Sequence, residues 1–276
     1  MNFILWIVSP NGYPHSRCFE EVAQSLQESF SMLGHTAIIL KRPPEFHYEE
    51  LNVIILGANL LRSQVPNDWI VYNLEQITPE SPWLTPQYID LLRSHPVWDY
   101  SRNNIEALKS YNINAKLCEI GYSPCLTKIP AEDQDIDILH IGSMNDRRQH
   151  ILDDLQSKLP ENKVVLAFNC YGTARDRLIA RSKIILNIHF YEAKNFEIVR
   201  CSYLMANRKA IVSEIGKDKQ LEEPYYEGIA FDDYSSLSAR CIALLDNDLA
   251  RSQLETRGYE IFSSRSQHLF LKEVLA

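Results

Sequence analysis

Glycine is scarce in this chain, 9 of 276 residues, which excludes collagen-like repeats, glycine-rich linkers and many-turned β architectures. Long apolar runs are missing as well. None approaches the ~18 residues that a membrane-spanning helix needs, and the opening run 3–8 is short and lacks a basic flank. Neither a signal peptide nor a membrane segment is therefore expected, and the chain reads as cytoplasmic. There is no excess of positive charge: 28 Lys and Arg stand against 36 Asp and Glu, a formal charge of −8 that argues against a nucleic-acid partner. The six cysteines, at 18, 118, 125, 170, 201 and 241, make no C-x-x-C and no zinc-type spacing with histidine. Free thiols in a reducing compartment are expected, and no metal site.

What is present is an ordinary globular balance, 45% hydrophobic and 23% charged. At about 150 residues per domain, the length suggests two domains. Residues 3–8 form a continuous apolar run ended by Ser9-Pro10-Asn11-Gly12, which suits a strand buried on both faces. Phe19, Val22, Ala23, Leu26, Phe30 and Leu33 then recur at three- and four-residue steps, one helix face closing at Gly34. A strand at 36–40 completes a βαβ unit. Further strands are expected at 53–56, 69–73 and 115–118, with helices at 86–93 and 101–110, the latter capped by Ser101. After a proline- and acid-containing linker at 123–135, strands at 136–141, 164–168, 184–188, 210–212 and 229–231 alternate with helices at 145–159, 175–180 and 196–206. Three helices, 234–245, 248–262 and 266–275, finish the chain. Strand alternating with helix throughout means α/β with parallel sheets, twice over. The expected domains are 1–125, on the acceptor side, and 126–276 with the C-terminal helices, the last of which can cross back to brace the first domain.

In such sheets ligands bind at the carboxyl ends of the strands, so residues just after strands carry the functional signal. The stretch 136–214 reads D-I-L-H-I-G-S-M-N-D-R-R, then F-N-C-Y-G-T-A-R-D-R, then I-I-L-N-I-H-F-Y-E-A-K-N-F-E-I-V-R with a strand ending Ser213-Glu214. This half resembles the donor-binding domain of the GT-B glycosyltransferases, closest to the retaining, family-4-like enzymes. The resemblance implies two Rossmann-like domains facing across a cleft and transfer of a sugar from a nucleotide-diphosphate sugar, UDP favoured, without a required cofactor. It also implies that Glu197 grips the donor ribose. Where the family has an acid eight positions earlier, this sequence has His189.

The residues support that chemistry in their own right. A Gly142-Ser143 turn into a helix start presents backbone N–H groups to phosphate, with Asn145 beside it. Arg147 and Arg148 add planar cationic forks, or alternatively pair with Asp146 or Asp153. Glu197 can accept two ribose hydroxyls, or merely favour its helix dipole. Phe196 and Arg200, at the same helix start, and Asn187 are expected at the donor; His189, after the buried strand, is a candidate catalytic residue or a satisfied structural histidine, and Tyr171 is placed to stack on the base or to pack inward. Arg200 can reach phosphate or a neighbouring carboxylate, and Lys183 is equally open. In the first half, His15 lies in the first strand-to-helix loop as a candidate base or a helix cap, and Asn73-Leu74-Glu75-Gln76, after another strand, offers Glu75 as a candidate base, an acceptor-binding acid or a plain loop carboxylate. Asp99 reads as structural. The partners expected are the donor and a small-molecule, glycan or protein acceptor. Rival readings are a nucleotide-sugar epimerase or hydrolase of the same fold, and a non-catalytic nucleotide-sugar-binding protein. A dehydrogenase fits poorly, because no G-x-G-x-x-G follows a strand.

Overall fold

The apolar run after Met1 folds as β1 (Asn2–Ile7), buried from Phe3 onward. In the computed structural model, which describes residues 1–44 and 51–276, it is followed by α1 (Glu20–Met32), β2 (Thr36–Leu40), β3 (Leu51–Leu56), β4 (Ile70–Asn73), α2 (Pro86–Ser94), β5 (Val97–Asp99), α3 (Arg102–Lys109) and β6 (Ala115–Leu117). The strands form one parallel sheet in the order β2-β1-β3-β4-β5-β6. Burial follows from that order. Central β3 is buried over its last four residues, whereas edge strand β2 leaves Ile38 48% exposed. Helix α1 seats Val22, Leu26 and Phe30 on the sheet, with Phe30 stacked on Phe3 at 4.0 Å.

Local chemistry sets the helix ends. Gly34, at φ 76°, ends α1 in a Schellman motif: His35 N donates to Phe30 O and Gly34 N to Ser31 O. Thr85 Oγ1 caps α2 ahead of Pro86, and Ser101 Oγ caps α3 as the sequence indicates. β5 was not expected; its three residues sit between Pro96 and the Ser101 cap.

The second unit contains β7 (Ile136–Ile141), α4 (Asp146–Lys158), β8 (Val164–Ala167), α5 (Gly172–Ala180), β9 (Ser182–Asn187), α6 (Ile198–Ala206), β10 (Ala210–Glu214), α7 (Lys219–Glu222), β11 (Ala230–Asp232), α8 (Leu237–Leu245) and α9 (Asp248–Ser264). Its sheet runs β11-β10-β9-β7-β8, all parallel. The chain leaves β7 for β8 on one side and returns to β9 on the other, so the strand order switches direction between β7 and β9.

The two compact units are Met1–Leu126 with Arg265–Ala276, and Thr127–Ser264. The boundary expected at 125/126 thus falls one residue later, and the last helix, α10 (Gln267–Leu275), is a correction to the expected second domain: it belongs to the first unit. Hydrogen bonds explain why. Tyr122 N donates to Arg265 O, Gln267 N to Tyr122 O, and Gly121 N to the buried Gln267 Oε1 at 2.7 Å. Among the described residues no helix is long and apolar enough to cross a membrane.

Candidate functional site

The second unit's switch point gathers most of the expected donor-site residues. Gly142 follows β7 at φ 148°, in the region that favours glycine. A Cβ placed there would lie 3.1 Å from Arg148 Nη1, 3.3 Å from Arg200 Nη2 and 3.7 Å from His140 Nε2. Three side chains therefore converge over a bare backbone. Arg148 is 2% exposed. It donates through Nε and Nη2 to Ile188 O, 2.9 and 2.5 Å, and through Nη1 to Ser143 O, 2.7 Å, which ties the turn after β7 to the end of β9. Burial, reinforced by the Arg200 charge, pulls its guanidinium down to about 10.

Glu197 stands immediately before α6, with its side chain 18% exposed. Its Oε2 accepts Asn187 Nδ2 at 2.8 Å and lies 3.1 Å from His189 Nδ1, within ion-pair reach but off the axis of a hydrogen bond. Its Oε1 lies 3.8 Å from Arg148 Nη2. Burial opposes the charge on Glu197, but His189, Arg200 and Arg148 outweigh it and hold the carboxyl near 2. His189 is 1% exposed; burial disfavours its charge, yet Glu197 first, then Glu214 and Glu222, lift it above its ordinary value. Arg200 Nη1 donates to Asn187 Oδ1 at 2.7 Å, so Asn187 links the carboxylate to the guanidinium. Around one carboxylate the site holds two guanidinium groups and an imidazole, a positive surplus suited to an anion.

His140 was not expected here. Its Nδ1 lies 3.0 Å from Leu186 O, an oxygen that only accepts, so Nδ1 carries the proton. Burial, then Arg148 and Arg200, depress its pKa to about 3, leaving a neutral ring whose Nε2 has no partner. The sequence signal was a histidine interrupting an apolar strand. Glu214, at the end of β10, was also missed as a site residue. It is 1% exposed and accepts Arg147 Nη1 and Nη2 at 3.1 and 2.7 Å and His189 N at 3.1 Å, with Lys194 Nζ at 3.1 Å.

Some expected donor residues are engaged elsewhere. Arg147 is spent on Glu214 and on His189 O, and its guanidinium lies 4.4 Å over the Tyr234 ring. Neither Asp146 nor Asp153 is its partner. Asn145 caps α4, accepting Arg148 N at 3.0 Å while its Nδ2 donates to Phe190 O. Phe196 corrects the expectation of a ligand contact: it is 1% exposed, packed against Tyr225 and Phe231, because an apolar ring at a helix start turns inward when a core lies behind it. Tyr171, half-buried, precedes α5 next to the edge strand β8, and Lys183 pairs with Asp137 at 2.7 Å.

The first unit holds its own polar cluster at the carboxyl ends of β4 and β5. Glu75 accepts Asn59 Nδ2 at 3.2 Å, and burial, against that hydrogen bond, raises its carboxyl to about 7. Asp99 is fully buried. It accepts Asn73 Nδ2 at 2.6 Å, Ser101 N at 2.8 Å and Asn104 Nδ2 at 3.1 Å, yet burial still lifts it to about 7. His15 lies on a 3-10 turn, Pro14–Phe19, edge-on to the Tyr13 ring at 5.1 Å.

No protein-family model matches the chain. Protein L140 of Acanthamoeba polyphaga mimivirus, itself uncharacterized, is 30% identical over 194 residues, 64% of this chain and 59% of L140. The chain therefore matches little more than half the length of that relative. Among solved structures, Anabaena HepE in complex with UDP and glucose superposes with TM-score 0.65 at 12% identity, covering 100% of this chain and 99% of HepE. A glycosyltransferase from Rickettsia africae gives TM-score 0.59 at 12% identity, covering 99% of this chain and 97% of that one. The fold is α/β, with two Rossmann-like parallel-sheet units, and it is the GT-B fold.

Proposed function

We propose that this chain is a glycosyltransferase that takes a sugar from a nucleotide-diphosphate sugar, a UDP-sugar in the first instance, and passes it to an acceptor. The observation that carries this reading is the convergence of Arg148, Arg200 and His140 over Gly142 at the switch point, with Glu197 beside them. Arg200 offers a diphosphate a guanidinium group, and Arg148, whose nitrogens are tied to Ile188 O and Ser143 O, adds its charge, so that together they replace the divalent metal of other transferases and the reaction needs no metal. Glu197, ionised, accepts ribose hydroxyls through Oε1, the oxygen that Asn187 does not occupy. The similarity to a structure holding UDP and glucose supports the choice of nucleotide. On the first unit Glu75 and His15 are the candidate proton acceptors for the incoming nucleophile, and burial holds the Glu75 carboxyl near 7, where it can take up a proton at neutral pH.

Calorimetry with UDP tests the donor assignment. Glu197→Ala weakens binding by about tenfold to a hundredfold, the worth of a charge-assisted hydrogen bond; an unchanged affinity overturns the assignment. UDP released from UDP-glucose in excess EDTA at the rate seen without it supports the metal-free reading, and complete loss refutes it. Conversion of the donor with no acceptor present would favour an epimerase or hydrolase instead.

A further inference from the structure

The loop after β1 holds a motif that the glycosyl-transfer reading leaves unused. Pro10, Asn11, Gly12 and Tyr13 form a β-turn closed by Tyr13 N, which donates to Pro10 O at 3.0 Å. Gly12 has φ 77° while Asn11 keeps a negative φ, the pattern of a type II turn, whose third position glycine fills without strain. Of the chain's 17 asparagines, Asn11 alone precedes a glycine.

Three features leave this dipeptide open to reaction within itself. Asn11 and Gly12 are both exposed. Among the described residues nothing hydrogen-bonds the Asn11 side-chain amide, and Gly12 N donates to no carbonyl. A Cβ built on Gly12 would meet no atom within 4 Å, so the turn has room to bring Gly12 N onto the amide carbon of Asn11. The other asparagines all precede a residue whose Cβ crowds the following nitrogen. Several are also held fast: Asn145 and Asn247 cap helices through their side-chain oxygens, and Asn73, Asn104, Asn187 and Asn207 are buried in hydrogen bonds.

We propose that Asn11-Gly12 is a self-modifying site, at which Asn11 cyclises to a succinimide and then opens to aspartate and isoaspartate. Gly12 N loses its proton to solvent base and attacks Asn11 Cγ. The new N–C bond forms as the Cγ–Nδ2 bond breaks, and Nδ2 leaves as ammonia with a proton taken from water. Water then adds to one of the two ring carbonyls. Opening at Cγ gives aspartate; opening at the main-chain carbonyl gives isoaspartate, with the chain routed through Cβ and Cγ. Nothing is oxidised or reduced. Each product sets a new carboxylate ahead of the 3-10 turn Pro14–Phe19, and isoaspartate also lengthens the main chain there by one carbon, so the segment bearing His15 is the part that the modification alters. The site stands whether or not the chain transfers sugars.

The test incubates the whole chain at 37 °C and pH 8.5 and follows the tryptic peptide that ends at Arg17, with urea-unfolded chain setting the intrinsic rate. In the native chain this peptide should gain one mass unit at Asn11, ahead of every other asparagine, with one ammonia released per chain converted and isoaspartate among the products. Because the fold leaves the site open, the native rate should lie within about tenfold of the unfolded one. Gly12→Ala, which keeps Asn11 but crowds the attacking nitrogen, should slow conversion about tenfold or more, and Asn11→Gln should show none. Alanine at φ 77° is strained, but the isoaspartate readout in the native chain needs no variant. A native rate slower than that margin, another asparagine converting first, aspartate formed without isoaspartate, or equal rates in native chain and Gly12→Ala overturns the proposal.

Discussion

Two glutamates, one just past the parallel strand β4 and the other immediately before α6, have met opposite environments. Glu197 is surrounded by Arg148, Arg200 and His189, and its carboxyl titrates near 2. Glu75 is surrounded by amides, a phenol and another buried acid, and titrates near 7. Burial pushes both upward, so burial cannot account for the difference; the sign of the neighbouring charge does. The difference separates two tasks. A carboxylate held down by cations stays ionised and serves as a fixed anchor, accepting hydrogen bonds at any physiological pH. One left without cations stands close to exchanging its proton, which is what an acceptor hydroxyl requires of its partner.

The largest expected effect breaks or confirms that contrast directly, through stability. A pKa lowered on folding contributes stability that is present above the unfolded value and is lost as pH falls through the folded one. For Glu197 that window runs from about 4.5 down to about 2. A raised pKa works the other way: its contribution is complete below about 4.5 and is lost as pH climbs to about 7 for Glu75. Glu197→Gln should therefore destabilise the chain at pH 7 by about 3 kcal/mol, and Glu75→Gln should stabilise it by up to about 3 kcal/mol. Denaturant melts at pH 4.5 and 7.5 measure both. At the lower pH the Glu75→Gln gain should vanish while most of the Glu197→Gln loss remains. Two losses at pH 7.5, or two gains, would show that the charge environments have been misread.

The sequence disclosed these two regions unequally. Both Rossmann-like units were legible because buried parallel strands leave continuous apolar runs, such as 3–8 and 184–188, and because Gly34 and Ser101 punctuate helices through local chemistry. Glu197 was singled out through the family resemblance, and the structure places it where that expects it along the chain, immediately before α6. What stayed hidden depends on partners distant in the chain. Arg147 looked available for phosphate, but Glu214 claims it from 67 residues away, and no local pattern announces that pair. The short β5 is too brief to show a period, so the sequence marked Asp99 as structural without revealing that it ends a strand and anchors two asparagines. Asn73 and Asn104 belong to separate elements, and side-chain amides carry no periodic signature at all. Phe196 was misjudged because its neighbour's chemistry was extended to it, although apolar area, not position beside Glu197, decides where a ring goes.

A smaller effect sharpens the comparison from the cationic side. His189 is 1% exposed and lies 3.1 Å from Glu197, so under the proposed function it acts on the donor through that carboxylate, by orienting it and sharing its charge. The groups facing it are Glu197, Glu214 and Glu222, three acids that lift its pKa above 6.5. A raised histidine pKa makes the charged brace present at lower pH and lost as pH rises through the folded value. UDP affinity in the native chain, followed upward from pH 7, above the titration of the nucleotide's own phosphate, should accordingly decline by about threefold as the raised histidine loses its proton, the scale of a partly screened ion pair. His189→Gln keeps a donor toward Glu197 but cannot titrate, so its affinity should start lower and stay level across that range. Were the variant to decline in parallel with the native chain, the dependence would belong to another group. Were the native chain itself level, Glu197 would be held by Arg148, Arg200 and Asn187 alone, and the contrast with Glu75 would rest on guanidinium groups without help from the imidazole.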